Sequence, residues 1–391
     1  MLGRRVDADH DRLAAVIESP EGRQITMSSF VRRLAGTVAG LALAVSAIVP
    51  GAAGAQTFPD PKDEARLYEG ARKEGSLVWY VSGPIEPMKA VAEVFMKRYP
   101  GIKVETLRIV GVAQYQRFMQ ETQAKRHMVD VVHISDYPSM ESLIKDGHLV
   151  EWKVPEADKM PEVFRMGNHA FAPYTTDMAI VYNVNKLKPE EVKILESSWK
   201  GVLDPRFKGR FAVTTMKCGV CYAGLHMFLD PKLSKEYGID FLRAVAAQKP
   251  TVYSEILVGL DRVIAGEHDF VFWSWESVAN TKFMQGAPIR WVRPSPTPEW
   301  GNSWQAVSRY APHPHAARLF QNWSISTEGA TALQQVYGTA TTLGGIPDTR
   351  PLTKEAWYKP IQQRYNVDFK RWDENYHKDM DTWARLLKEA R

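Results

Sequence analysis

Cysteine is nearly missing from this chain of 391 residues: there are two, too few for the disulfide framework that holds small secreted folds together. An excess of one charge is missing too, since 50 Lys and Arg face 45 Asp and Glu. Spread along the chain, that balance supplies no basic stripe for nucleic acid, and no nucleic-acid partner is expected. Internal repeats and low-complexity tracts are absent. So are G-x-S-x-G, H-E-x-x-H and a Gly-rich phosphate loop, the commonest signatures of esterases, zinc hydrolases and nucleotide enzymes. The expectation is a protein with no catalytic residues, no cofactor and no bound metal.

Long apolar runs are lacking after residue 55, and the one before it is short. Arg32-Arg33 supplies positive charge, Leu34 to Val49 is almost unbroken Leu, Ala, Val and Ile, and Ala53-Gly54-Ala55 fits the small-x-small cleavage rule. The run spans about 16 residues where a membrane helix needs roughly 20, and Pro50-Gly51 breaks it. It reads as a signal peptide over residues 27–55, cut after Ala55, with residues 1–26 as an upstream extension ahead of Met27. The mature chain is therefore expected in the periplasm as a soluble monomer.

The sequence is comparatively rich in aromatics, with 12 Trp and 15 Tyr, rings that wall small-molecule pockets as readily as they fill cores. Strand and helix patterns alternate along the mature chain. Leu77 to Val81 reads as a strand, Pro87 to Arg98 as a helix, Ile102 to Leu107 as a second strand, Gln114 to Lys125 as a helix, and Val129 to Ile134 as a third strand ending at Ser135-Asp136. Met178 to Asn183, Phe211 to Thr214 and Phe270 to Trp273 add further strands. Pro294 to Pro298 reads as a Pro-rich turn, and the chain from Pro314 onward as mainly helical. The pattern predicts an α/β fold of two lobes, each a mixed sheet flanked by helices, with ligand-binding loops at the carboxyl ends of the strands.

Two local motifs stand apart. Cys218-Gly219-Val220-Cys221 at a helix start fits a local disulfide, two quiet thiols or a redox pair. His313-x-His315 is half of a metal-ligand pattern, but no His or Cys cluster completes it, and it reads as a loop leading into a helix.

The order of segments resembles the type II periplasmic binding proteins of the ferric-iron, thiamine and phosphonate importer group. The likeness rests on Val78 to Gly83, the step from Tyr99 to Val104, Val129 to Val131, Val181 to Asn183, the segment Trp199 to Gly209 with its Asp204-Pro205 and Lys208-Gly209, and Ala311 to Ala317 followed by Ser326 to Gly329. The resemblance implies a two-lobed binding protein that closes on a small-molecule ligand and delivers it to an inner-membrane ABC permease. A ferric-iron receptor of the same fold and a periplasmic sensor input for a membrane kinase are the alternatives. It implies a first lobe from 56–176, a second from 177–306, a return to the first over 307–345, and a C-terminal helical tail from 346–391, with pivots near Tyr174 to Ala179 and Gln305 to Arg309.

The positions matching the iron ligands of that group fall on Pro84, Ser135, Glu276 and Ser277, of which one alone is a strong ligand for a hard cation. The same loops offer Ser82, Gly83, Ser135, Asp136, Thr175, Thr215, Trp273, Trp275 and Glu276, a set suited to an organic solute. Thr215 and Lys217, beside a helix opening near Val220, suggest an anion subsite in the second lobe. Across the cleft, Asp136 or Glu276 with Trp273 or Trp275 would hold a cationic or aromatic end. An anionic or zwitterionic organic solute is the expected ligand.

Overall fold

The structure is a computed structural model that describes residues 58–215, 222–301 and 303–390. The expected signal segment, Lys217 and both cysteines lie outside the described residues. Those residues form fourteen strands: β1 (Ser76–Val81), β2 (Lys103–Arg108), β3 (Val131–Ile134), β4 (Arg165–Met166), β5 (Ala170–Phe171), β6 (Tyr174–Asn183), β7 (Phe211–Thr214), β8 (Thr251–Tyr253), β9 (Phe270–Trp275), β10 (Ile289–Val292), β11 (Thr297–Gly301), β12 (Trp304–Val307), β13 (Ala340–Thr341) and β14 (Arg364–Tyr365).

The first sheet runs β2-β1-β3-β12-β5-β4, with β1 parallel to β2 and β3, and β12 antiparallel to β3. β3 is Val-Val-His-Ile and is buried at every position, as a strand covered on both faces must be. The helix Glu64–Glu74 ends at Gly75, whose left-handed backbone (φ 75°) turns the chain straight into β1. Helix Ile85–Arg98 buries Met88, Val91, Ala92 and Phe95, and Phe95 meets Phe320 edge-on with ring centroids 4.9 Å apart.

The second sheet runs β14-β11-β6-β9-β7-β8, with β10 and β13 also pairing with β6. All ten residues of β6 are buried, because four neighbours and the helices above leave it no solvent face. The chain passes between the sheets twice through short links, from β5 to β6 and from β11 to β12. β13 returns to pair with β6 after the helices Pro314–Ser324 and Thr327–Ala332.

Two local expectations need correction. Thr297 and Pro298 belong to β11 and pair with β14, so the Pro-rich turn is shorter than the sequence suggests. The chain beyond Pro314 is helical only in part. Between Gly338 and Asp368 it is extended or turned, carrying β13, β14 and one short 3-10 turn, Pro351–Lys354. Helicity resumes at Phe369–Glu389, where Trp372, Met380, Trp383, Leu386 and Leu387 repeat at helical spacing and sink into the core of the second sheet.

Candidate functional site

A cavity of about 560 Å³ lies where the two sheets face each other. The first sheet's loops supply Ser82, Gly83, Pro84, Ile85, Arg108, Val110 to Ala113, Ser135 and Asp136. Leu257, Trp275 and Val278 come from the second sheet's elements, Ser303 from the β11 to β12 link, Tyr337 from the helical return and Tyr376 from the C-terminal helix.

The polar groups of this cavity differ in what they are free to do. The Ser82 hydroxyl accepts from the Ser135 amide at 3.2 Å, which ties the ends of β1 and β3 together. Asp136 caps the helix Tyr137–Lys145, accepting from the Ser139 amide and hydroxyl at 3.1 and 2.5 Å. Its carboxylate already answers the positive end of that helix. Arg108, at the end of β2, is exposed and donates through Nε to the Gly83 carbonyl at 3.1 Å. Among the described residues it makes no ion pair, so its remaining donors are available. Gly83 fits closely there: a Cβ would stand 3.2 Å from the Met88 side chain.

Two helix starts flank Arg108 without a side-chain cap. Helix Ile85–Arg98 begins after Pro84, and helix Val112–Gln123 after Gly111, which has no side chain to offer and a φ of 56° that suits glycine. Their first amide groups have no intrahelical acceptors, and both cap residues line the cavity. A guanidinium and two uncapped helix N-termini make this end of the cavity electropositive.

The structure therefore brings together Ser82, Gly83, Ser135, Asp136 and Trp275 from the sequence-based set. Thr175, Thr215, Trp273 and Glu276 stand outside the lining. Thr175 lies within β6 between β11 and β13, 2% exposed. Thr215 continues β7, its amide bonded to the Tyr253 carbonyl at 3.0 Å and its buried hydroxyl without a hydrogen-bond partner among the described residues. The placement of Trp273 beside Trp275 at the cleft is corrected by a bulge. The register between β6 and β9 shifts between Ala179 and Val181, and Trp273 takes a left-handed backbone (φ 48°). Phe272 and Trp273 then enter the same core, where Trp273 packs 5.2 Å from Phe228 and 5.5 Å from Trp383, while Trp275 reaches the cavity.

Glu276 is likewise withdrawn from any ligand. Its carboxylate is bonded by Arg293 at 2.9 Å and by Arg350 at 3.1 Å, all three side chains at most 5% exposed. Burial alone would raise its pKa, but the two guanidinium groups outweigh that and hold it low. Asp177 shares Arg293 at 3.2 Å, and burial together with the Glu276 charge raises its pKa strongly. The two histidines of the H-x-H pattern act as staples: His313 binds buried Asp130 at 2.9 Å and His315 binds Glu74 at 2.7 Å. Arg108 and Tyr376 were not singled out in the sequence. A lone Arg ending a strand and a Tyr within an amphipathic helix carry no pattern of their own.

A two-lobed α/β binding protein with its ligand space between the lobes is the class defined by these sheets and this cavity. Residues 77–338 match the family of bacterial extracellular solute-binding proteins, and the chain belongs to it. The substrate-binding protein of an ABC transporter from Agrobacterium tumefaciens has the same fold, with a TM-score of 0.64 at 20% identity over 80% of this chain and 94% of that one. Iron-bound HitA from Pseudomonas aeruginosa matches with a TM-score of 0.62 at 17% identity, over 81% and 99%. AfuA from Actinobacillus pleuropneumoniae, solved with fructose-6-phosphate bound, matches with 0.56 at 19%, over 81% and 97%. Proteins of this family bind solutes and are not enzymes. No helix among the described residues is long and apolar enough to cross a membrane.

Proposed function

We propose that this protein, exported by a signal peptide cut after Ala55, captures a small organic anion in the interlobe cavity and presents it to a permease, with the anionic group docking on Arg108. The observation that carries this reading is an arginine that makes no ion pair among the described residues, at the mouth of two uncapped helices and inside a cavity of ligand size. The Ser135 hydroxyl, with no partner among the described residues, stands ready as an additional donor. On this reading the anion docks in the first lobe, and the subsite expected at Thr215 and Lys217 is not needed to hold it. The fructose-6-phosphate named for AfuA is itself an organic anion.

Ferric iron suits the site poorly. Of the four positions that match iron ligands, Pro84 has no donor, Ser135 has a neutral hydroxyl, the Ser277 hydroxyl is bonded to Thr176 at 2.9 Å, and Glu276 is neutralised by two arginines.

Calorimetric titration of the mature protein against a panel of organic anions tests the reading. Arg108→Gln should weaken the best of them by roughly 1.5 to 3 kcal/mol, about ten- to a hundredfold, as for a lost hydrogen bond to a charged group. Ferric citrate should give no visible charge-transfer band. Unchanged affinity in the folded Arg108→Gln protein would falsify the docking site.

A further inference from the structure

We infer that the solute carries an apolar body behind its anionic group, and that Tyr376 on the C-terminal helix is a specificity-determining residue that contacts this body. The inference rests on the anion reading above and deepens it. Beyond the guanidinium itself, much of the cavity wall is apolar: Ile85 and Val112 at the two helix starts beside Arg108, and Leu257, Trp275, Val278 and Tyr376 from the second sheet's elements and the C-terminal helix. Three of the large hydrophobic residues that remain most exposed lie on its lining: Val110 at 42%, Val112 at 51% and Leu257 at 38%. Apolar surface left in water on both sides of one cavity is covered most favourably by an apolar ligand.

A polyol would fare worse. Of the polar groups facing the cavity, the Ser82 hydroxyl already serves the Ser135 amide and Asp136 already caps its helix. Each buried sugar hydroxyl left without a partner would cost affinity.

Tyr376 is positioned for this role by its helix. That helix is fixed to the second sheet through Trp383, whose indole donates to the Thr214 carbonyl at 2.9 Å, and through Asp379, which accepts from the Tyr222 hydroxyl at 2.6 Å. The Tyr376 ring meets Tyr222 edge-on at 5.0 Å, so its orientation is set by packing. Its hydroxyl has no hydrogen-bond partner among the described residues, and burial followed by the nearby Asp136 charge raises its pKa, so it remains a donor. A ring face and a hydroxyl donor together suit an aromatic or medium-chain aliphatic carboxylate. The helix follows residue 338, where the match to the family ends.

The test is a homologous series, acetate, butyrate, hexanoate and octanoate, with phenylacetate and fructose 6-phosphate as further probes, titrated into the mature protein by calorimetry. Affinity should rise roughly three- to fourfold per added methylene until the cavity fills, and phenylacetate should exceed both acetate and fructose 6-phosphate. Tyr376→Leu should reduce phenylacetate binding about tenfold while leaving acetate within twofold, and Tyr376→Phe should retain most of the preference. A flat series, or fructose 6-phosphate as the tightest probe, overturns the apolar-body inference and leaves the anion site standing if Arg108→Gln still weakens binding about tenfold or more. Equal losses for every probe in Tyr376→Leu overturn the specificity role. If no anion binds the unmodified protein, the anion reading fails and this inference with it.

Discussion

Glu276 shows how a residue at a ligand-matching position is taken out of service. Its carboxylate lies between Arg293 and Arg350, and Arg350 is also held by Asp348 at 2.7 Å. The cluster joins the start of the helix Glu276–Met284 to the segment that leads to the C-terminus, with the charges balanced inside the fold rather than offered to the cavity. Removing one partner from such a buried group strands the other. Arg350→Met should therefore cost about 3 to 5 kcal/mol of stability in urea unfolding, while the double change Glu276→Gln with Arg350→Met should regain much of that loss. A single-variant cost under about 1 kcal/mol would mean that water reaches the cluster. The sequence shows Glu276 as a carboxylate after a short strand; its two arginines come from 17 and 74 residues further on, and nothing local announces either.

The legibility of the elements follows the range of the forces that set them. β1, β2, β3 and β7 could be read closely, because a run of apolar residues bounded by turn residues is a local signal; β6 was legible only from Met178, since its first four residues, Tyr174 to Asp177, are mostly polar. The helix before Arg98 was expected from Pro87 and begins at Ile85, since an uncapped start has no side chain to mark it. The bulge in β9 was invisible, and with it the separation of Trp273 from Trp275, because the register shift is decided by β6, some ninety residues earlier. The C-terminal segment could be read as helical, but not as a wall of the cavity, since an aromatic at helical spacing has the same pattern whether it meets core or ligand. That helix is attached chiefly through Trp383, which is fully buried in the second core. Trp383→Ala should cost about 3 to 5 kcal/mol through the cavity left behind and the lost hydrogen bond to the Thr214 carbonyl. Urea unfolding followed by circular dichroism measures it, and a cost below about 1 kcal/mol would show the helix to be held elsewhere.

At the scale of the whole molecule, the two sheets are linked by short strand-to-strand connections, and Phe369 at the start of the C-terminal helix stacks on Tyr137 of the first sheet's helix, ring centroids 4.1 Å apart. Such links permit hinge bending while the sheets stay rigid. Ligand shifts that equilibrium only by binding the closed form better, which requires contacts from both lobes at once. The cavity provides them: Arg108, Val110 and Val112 on one side, Leu257, Trp275 and Val278 on the other. We expect closure to bring the exposed Val112 toward the exposed Leu257, so the rim itself can be made to report it. Pairing Val112→Glu with Leu257→Glu places like charges across the mouth, while Val112→Glu with Leu257→Lys places opposite ones. The second protein should bind the tightest carboxylate of the series about fivefold or more better than the first at low salt, given roughly 1 kcal/mol for a charge pair at close range in water. The difference should shrink at high salt. In the unmodified protein, the same ligand at saturation should reduce the radius of gyration measured by small-angle scattering. Equal affinities for the two charge pairs, together with an unchanged scattering curve, would show that the lobes bind their solute without closing.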